Sequence, residues 1–444
     1  MLKIRWPENR DRAVWVALTL AGCLAVGAGW LEQWRLPSLD RFASSVFRVT
    51  SARADGPGSL RVAILAADRA PGRARIVVTV AKIAIETALP PLVNPRGVVL
   101  EAAPAGVELD GTRVTGAVLD IASPGSLVSG FRIVGGGAGV VVRAPGATLR
   151  NLTLLEHDTG ILVGENAGLV RISDSLLARN RVGVHLAAPA GVTTIQNTRF
   201  ENHRVAAVWA VNAVSTPPSA AQIDVVGSRF TEDAIGVVAI NVNARVEASH
   251  FTSEGSAAVY ASGARAAIVN NRIFAGHGFG IHSEELQSGT ILQNEIARNC
   301  NGGILLRDSA NTQVLGNDLY QNGYGIVLME GQALRPNTVA NNLIADDLAD
   351  GLLLIGSSPI VRGNRVLRNR HAGLRMSSLR LGSGPARIPT PFMAENLVQG
   401  NGVDDVQRDR YVPGTQGTSL PAAPECVWRL GPPAVSAVQR TGAR

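Results

Sequence analysis

The stretch that decides the fold runs from Asn271 to Leu328. It reads Asn271-Arg272-Ile273, Gly280-Ile281-His282-Ser283, Asn294-Glu295-Ile296, Gly303-Ile304-Leu305-Leu306, Asn317-Asp318-Leu319 and Gly325-Ile326-Val327-Leu328. Two registers interleave. In one, glycine opens an aliphatic-any-aliphatic run. In the other, asparagine is followed two residues later by an aliphatic. Each returns after 22 or 23 residues, which is the mark of one supersecondary unit stacked on itself.

Outward from this stretch, the glycine register continues at Gly139, Gly160, Gly183, Gly236, Gly351 and Gly373, with degenerate copies at Ala206 and Ala257. A longer gap before Gly236 holds Ser215-Thr216-Pro217-Pro218-Ser219, a loop inserted into one coil. The asparagine register adds Asn342, Asn364 and Asn396. Stacked coils would bring these amides roughly 4.8 Å apart, close enough to hydrogen-bond as a ladder. Ile76-Val77-Val78-Thr79-Val80 and Ile83-Ala84-Ile85 read as the first strands, and the last coil ends near Val403. The expected architecture is all-β, with about ten or eleven coils of roughly 22–24 residues.

Composition agrees. The 444 residues include 48 glycines and only 4% aromatics, against 46% hydrophobic residues. A thin aliphatic core suits a solenoid better than a thick globule. The net charge of +7 is carried almost wholly by arginine, Lys3 and Lys82 being the lysines. Such a balance favours acidic partners, and no nucleic-acid-binding motif is present. Three cysteines make no disulfide scaffold and no metal site. Cys23 lies in an N-terminal apolar segment, so only Cys300 and Cys426 could pair in the domain that follows, and a lone buried thiol is the expectation.

The glycine-opened strand, the asparagine column and the coil length together resemble the right-handed parallel β-helix proteins over roughly residues 75–405. These include pectate lyases, polygalacturonases, mannuronan C5-epimerases and NosD-type periplasmic proteins. The resemblance implies a single-stranded right-handed parallel β-helix whose outward strand face binds sugar chains. The subfamily is not identifiable. Gly276-His277-Gly278 resembles a polygalacturonase motif, yet the paired aspartates and the later Arg-Ile-Lys are missing. The Asp-Pro-His-Asp signature of mannuronan epimerases is also absent, and no acidic cluster suits calcium.

Strand residues alternate between faces, so the repeat assigns directions. The position after each glycine is uniformly apolar and faces inward. The next position is mixed and faces outward, offering His185, Trp209, His282 and Arg375. At the degenerate copy near Ala257 a slip of one residue would turn Tyr260 outward. Glu284 and Arg307 follow on adjacent coils. Histidine moves protons near neutral pH, arginine neutralises a uronate carboxylate and aromatics stack on sugar rings. The catalytic candidates are therefore His282, Glu284, Arg307 and Tyr260, weighed against ordinary solvent-facing residues. His185, Trp209 and Arg375 are substrate-binding candidates. Arg365 and Arg368 join them, because seven arginines and no acid lie between Gly351 and Ala394. His157, His203 and His277 share a turn column with Asn180, Asp233 and Asn322, which makes them structural.

At the N-terminus, Lys3, Arg5, Arg10 and Arg12 precede an uncharged apolar run from Ala13 to Leu31. Nineteen helical residues span roughly 28 Å, a bilayer core. This predicts a cytoplasmic segment 1–12, an anchor 13–31, a linker 32–58, a β-helix domain 59–405 and an irregular tail 406–444. The domain would sit in the periplasm, tethered to the inner membrane. Leu20-Ala21-Gly22-Cys23 also resembles a lipobox with Cys23 as the lipidation site, and a cleaved signal peptide is a third reading. All three agree on export. The functional expectation is an envelope protein that binds an acidic exopolysaccharide and modifies it by lyase or C5-epimerase chemistry. The alternatives are a non-catalytic scaffold in an envelope export complex and a NosD-like accessory protein. No motif requires a cofactor or a metal.

Overall fold

A computed structural model describes residues 43–189, 191–213, 221–329, 335–380 and 385–409. The predicted anchor 13–31, Cys23 and most of the tail lie outside these residues. Among the described residues no helix is long and apolar enough to cross a membrane.

Each coil contributes one short strand to each of three parallel sheets of 15, 14 and 13 strands. One coil runs Arg265–Val269, Arg272–Phe274, Phe279–Glu284, and the next begins at Ser288–Leu292. The 13-stranded sheet holds the glycine-opened strands. It exceeds the expected ten or eleven coils because Ala117–Ile121 and Val406–Arg408 also belong to it. Neither carries the signature: Val118 and Asp405 fall where other coils have glycine. The domain thus starts before and ends after its most regular repeats, and 406–408 is strand rather than tail.

The glycine position is small because the coils approach there. A Cβ on Gly139 would come within 2.7 Å of the Gly160 carbonyl oxygen, and one on Gly160 within 2.6 Å of that of Gly183. Inward aliphatics such as Val184, Val208, Val237, Val259, Ile281 and Ile304 stack in register and are fully buried. Phe200, Phe230 and Phe251 form an internal pile with centroids 4.8 and 4.4 Å apart.

The asparagine ladder is present. Each Oδ1 accepts from the backbone N–H and the Nδ2 of the asparagine one coil earlier, at 2.9–3.0 Å for Asn271 on Asn294. The pattern repeats through Asn317, Asn342, Asn364 and Asn396. Towards the N-terminus, Thr198, Ser228 and Ser249 continue the same column. The residue before each ladder position turns through positive φ, as Gly316 (59°) and Gly363 (62°) do.

A second polar column runs through the other turn: His157, Asn180, His203, Asp233 and Glu254, then Gly276, Asn299, Asn322, Asp347, Asn369 and Asn401. Here Gly276, whose N–H donates to Asn299 Oδ1, takes the place assigned to His277, so that histidine sits one residue out of the column.

The N-terminal end is closed by a helix, Leu60–Asp68, that the strand-based reading did not anticipate. Leu60, Ala63, Ile64 and Ala67 recur at helical spacing and are buried, and Ser59 caps the helix through Val62 N–H. The supposed linker 32–58 contains strand Ala43–Val49, which edges the 15-stranded sheet. Cys300 is disulfide-bonded, correcting the expected lone thiol; Cys23 and Cys426 lie outside the described residues.

Candidate functional site

Register along the 13-stranded sheet fixes its outward column as Leu162, His185, Trp209, Val238, Tyr260, His282, Leu305, Val327, Leu353 and Arg375. The slip near Ala257 is realised: Ala258 holds the glycine position, Val259 turns inward and Tyr260 pairs with His282. The next outward column places Glu284 beside Arg307.

The four catalytic candidates therefore meet. Tyr260 Oη donates to Glu284 Oε2 at 2.9 Å, and His282 Nε2 lies 3.1 Å from Glu284 Oε1. Arg307 Nη1 is 3.7 Å from the same Oε1, an ion pair beyond direct hydrogen-bond length. The Tyr260 and His282 rings meet edge to face, with centroids 5.1 Å apart. Phe279, not anticipated because it precedes the glycine, flanks His282 with ring centroids 6.2 Å apart.

The electrostatics follow from Glu284. The hydrogen bond from His282, reinforced by Tyr260 and Arg307, outweighs burial and brings its pKa down to about 2. Burial and the neighbouring Glu284 charge push the Tyr260 phenol up, so it stays protonated. An ionised carboxylate only accepts, so Nε2 of His282 carries the hydrogen and Nδ1 is the basic nitrogen. A carboxylate that fixes the tautomer of a surface histidine is an arrangement suited to proton transfer.

Other candidates are dispersed. Trp209 lies two strands from Tyr260, roughly 10 Å away, and the two aromatics pack over buried Val238. His185 is one strand further, with its pKa lowered by burial and by Arg181. Beyond His282 the face closes: Leu305, Val327 and Leu353 point outward yet are buried with Phe279, Tyr324 and Leu379. The sugar-binding face expected to run the length of the sheet is thus interrupted. Arg375 lies past this block, paired with Asp409 at 3.0 Å and Asp350 at 3.6 Å. Arg365 belongs to the 14-stranded sheet, and Arg368, in the turn that follows its strand, pairs with Asp346 at 2.7 Å. The arginines that form one window in sequence are distributed around the coil. Several of their acids lie outside that window, which is why the sequence showed only one sign of charge. Among the described residues no group of side chains has metal-site geometry.

A family described as "Right handed beta helix region" matches residues 212–346. That match spans under a third of the chain, and what the described residues share with the family is the fold, a parallel β-helix of three sheets. Among solved structures the chain is similar to the catalytic unit of a thermostable GH87 alpha-1,3-glucanase from Streptomyces thermodiastaticus. That similarity is at 13% identity and a TM-score of 0.53, over 85% of this chain and 70% of that one. A variant of the periplasmic alginate epimerase AlgG matches at 14% identity and a TM-score of 0.42, over 72% and 77% of the two chains. The Azotobacter vinelandii mannuronan C-5 epimerase AlgE4 A-module matches at 15% and 0.39, over 82% and 98%. No curated protein matches the sequence. At 13% identity the likeness to the glucanase unit concerns the fold alone.

Proposed function

We propose that this protein binds an acidic polysaccharide across Trp209, Tyr260 and His282 and acts on its uronate units by abstracting the C5 proton. The observation that carries the reading is the convergence of Tyr260, His282 and Arg307 on one ionised carboxylate, Glu284.

The roles follow from the geometry. Nδ1 of His282 takes the C5 proton, with Glu284 steadying the imidazolium that results. The electron pair moves into the uronate carboxylate, and Arg307 stabilises the enolate-like charge. From there two outcomes balance. Expulsion of the C4 glycosidic oxygen, which takes its proton from the neutral Tyr260 phenol as it leaves, gives a C4–C5 double bond and a free hydroxyl, which is lyase chemistry. Return of a proton to the opposite face, from the neutral Tyr260 phenol, inverts C5. Trp209 stacks on a neighbouring sugar. The Cys300 disulfide suits the oxidising compartment in which such a polymer is found, with the apolar segment 13–31 as the tether to the membrane. The chemistry of the residues calls for no cofactor.

The test is a proton-NMR time course of the full-length chain with polymannuronate and polygalacturonate. New unsaturated ends or inverted uronate signals are expected, and they vanish in His282→Ala. Line broadening without new signals would overturn the catalytic roles and leave a glycan-binding scaffold.

A further inference from the structure

The outer surface of the 15-stranded sheet carries a groove of about 480 Å³, crossing five consecutive strands from Gln222–Val226 to Thr312–Leu315. At the strand spacing of such sheets it extends roughly 19 Å along the axis, long enough for a few sugar units. We propose that this groove is a second glycan site, one that holds an acidic polysaccharide without acting on it. The proposal rests on the functional reading above for its ligand class, but its residues are separate from the His282 cluster and on a different sheet.

Shape comes from one outward column. Register aligns Arg245, Ala267, Thr290 and Gln313 on successive coils. Two short side chains therefore stand between two long ones, which makes a trough with polar walls. Arg265 and Asn311 line its edge. The lining offers guanidinium, amide and hydroxyl groups and no aromatic ring, so it recognises by hydrogen bonds and charge rather than by stacking.

Charge gives the class of ligand. No carboxylate lines the groove. Asp224, next in the column, has its Oδ1 occupied by Gln222 Nε2 at 2.7 Å. Arg245 pairs with Glu247, whereas Arg265 makes no ion pair with any described residue and is exposed. The Asp224 and Glu247 charges offset Arg245 at one end, and the unpaired Arg265 guanidinium stands among the amides and hydroxyls of the lining, a set of donors suited to a chain of hydroxyls and carboxylates.

The groove also shares its coils with the candidate active site. The chain passes from Glu284 through a short turn into Ser288–Leu292, a strand of the groove. A polymer held here raises the local concentration of uronate units near His282, an avidity effect that needs no new contact at the reacting sugar.

The test uses the full-length chain in mild detergent, titrated calorimetrically with oligogalacturonates and oligomannuronates. Two binding sites per chain are expected. Ala267→Trp, which fills the trough from the outside, should remove one of them, and Trp209→Ala the other. Arg265→Ser, which leaves the trough open, should weaken the same site that Ala267→Trp removes. Turnover of short oligomers should be unchanged in Ala267→Trp, while the apparent KM for polymer rises about 10-fold or more. A single site lost only through Trp209→Ala would overturn the groove and spare the functional reading. No binding of any acidic glycan would overturn both.

Discussion

Glu284 accepts from Tyr260 and His282 and faces Arg307, and its ionised form is what holds that arrangement together. Its folded pKa of about 2 lies below the ordinary 4.5. The carboxylate therefore contributes stability that is fully present above 4.5 and lost as pH falls towards about 2. Glu284→Gln should lower stability at neutral pH by about 1–3 kcal/mol, since two donors lose an anionic acceptor. Urea unfolding should show this deficit at neutral pH, shrinking as the wild type crosses the acid window. A deficit that stays constant with pH would contradict the ionised hub. The same variant should lose activity with His282→Ala, by about 10²- to 10⁴-fold for a general base. This cluster was legible in the sequence because a strict repeat converts spacing into facing. Tyr260 needed the slip at Ala257, which alternation alone left open. The charges of Arg368 and Arg375 were misread for the opposite reason: Asp346, Asp350 and Asp409 are their partners across coils, outside the sequence window that looked purely basic.

At the scale of the element, the two ladders are where polar groups are buried at least cost. Asparagine suits them because one amide both accepts from the coil before and donates onward. Asp347 breaks that pattern. It accepts from Asn322 N–H at 2.8 Å, but its Oδ2 is buried without a hydrogen-bond partner and burial pushes its pKa well above the ordinary carboxylate value. A raised acid pKa contributes stability at low pH that is lost as pH climbs from the unfolded value of 3.8 through the folded one. Asp347→Asn restores the donor and removes this dependence, so it should raise stability at neutral pH by about 1–2 kcal/mol. Thermal unfolding at neutral and acid pH would check it, and a gain at acid pH only would refute it. His203, Asp233 and Glu254 are a harder case in the same turns. His203 Nδ1 is 2.6 Å from Asp233 Oδ1, and burial, together with the Asp233 charge, pushes Glu254 up. The asparagine column was readable from its single residue type. This mixed column was only half readable, since His, Asp, Glu and Gly share no obvious signature.

Across the whole molecule, coils contact mainly their neighbours, so stability varies along the axis. The N-terminal end is covered by the helix Leu60–Asp68. The last described coil instead exposes Phe392, Leu397, Val403 and Val406. Hydrogen exchange should therefore show strands Phe392–Ala394 and Leu397–Gln399 opening first, and the coils around the Phe200, Phe230 and Phe251 pile last. Uniform protection along the axis would contradict this gradient. The repeat was plain in the sequence where glycine and asparagine mark every coil. It was invisible at both ends, where Val118 and Asp405 replace the glycine and the coil count came out short.

The proposed transfer of a proton from C5 of a uronate unit to His282 is read directly by deuterium exchange, whichever product follows. The full-length chain would be incubated with acidic glycan in heavy water and the C5 position followed by NMR and mass. Deuterium entering C5, or loss of the C5 hydrogen with formation of unsaturated ends, is the expected result, abolished in His282→Ala and strongly reduced in Glu284→Gln. A bound glycan whose C5 hydrogen is neither exchanged nor lost would contradict the account.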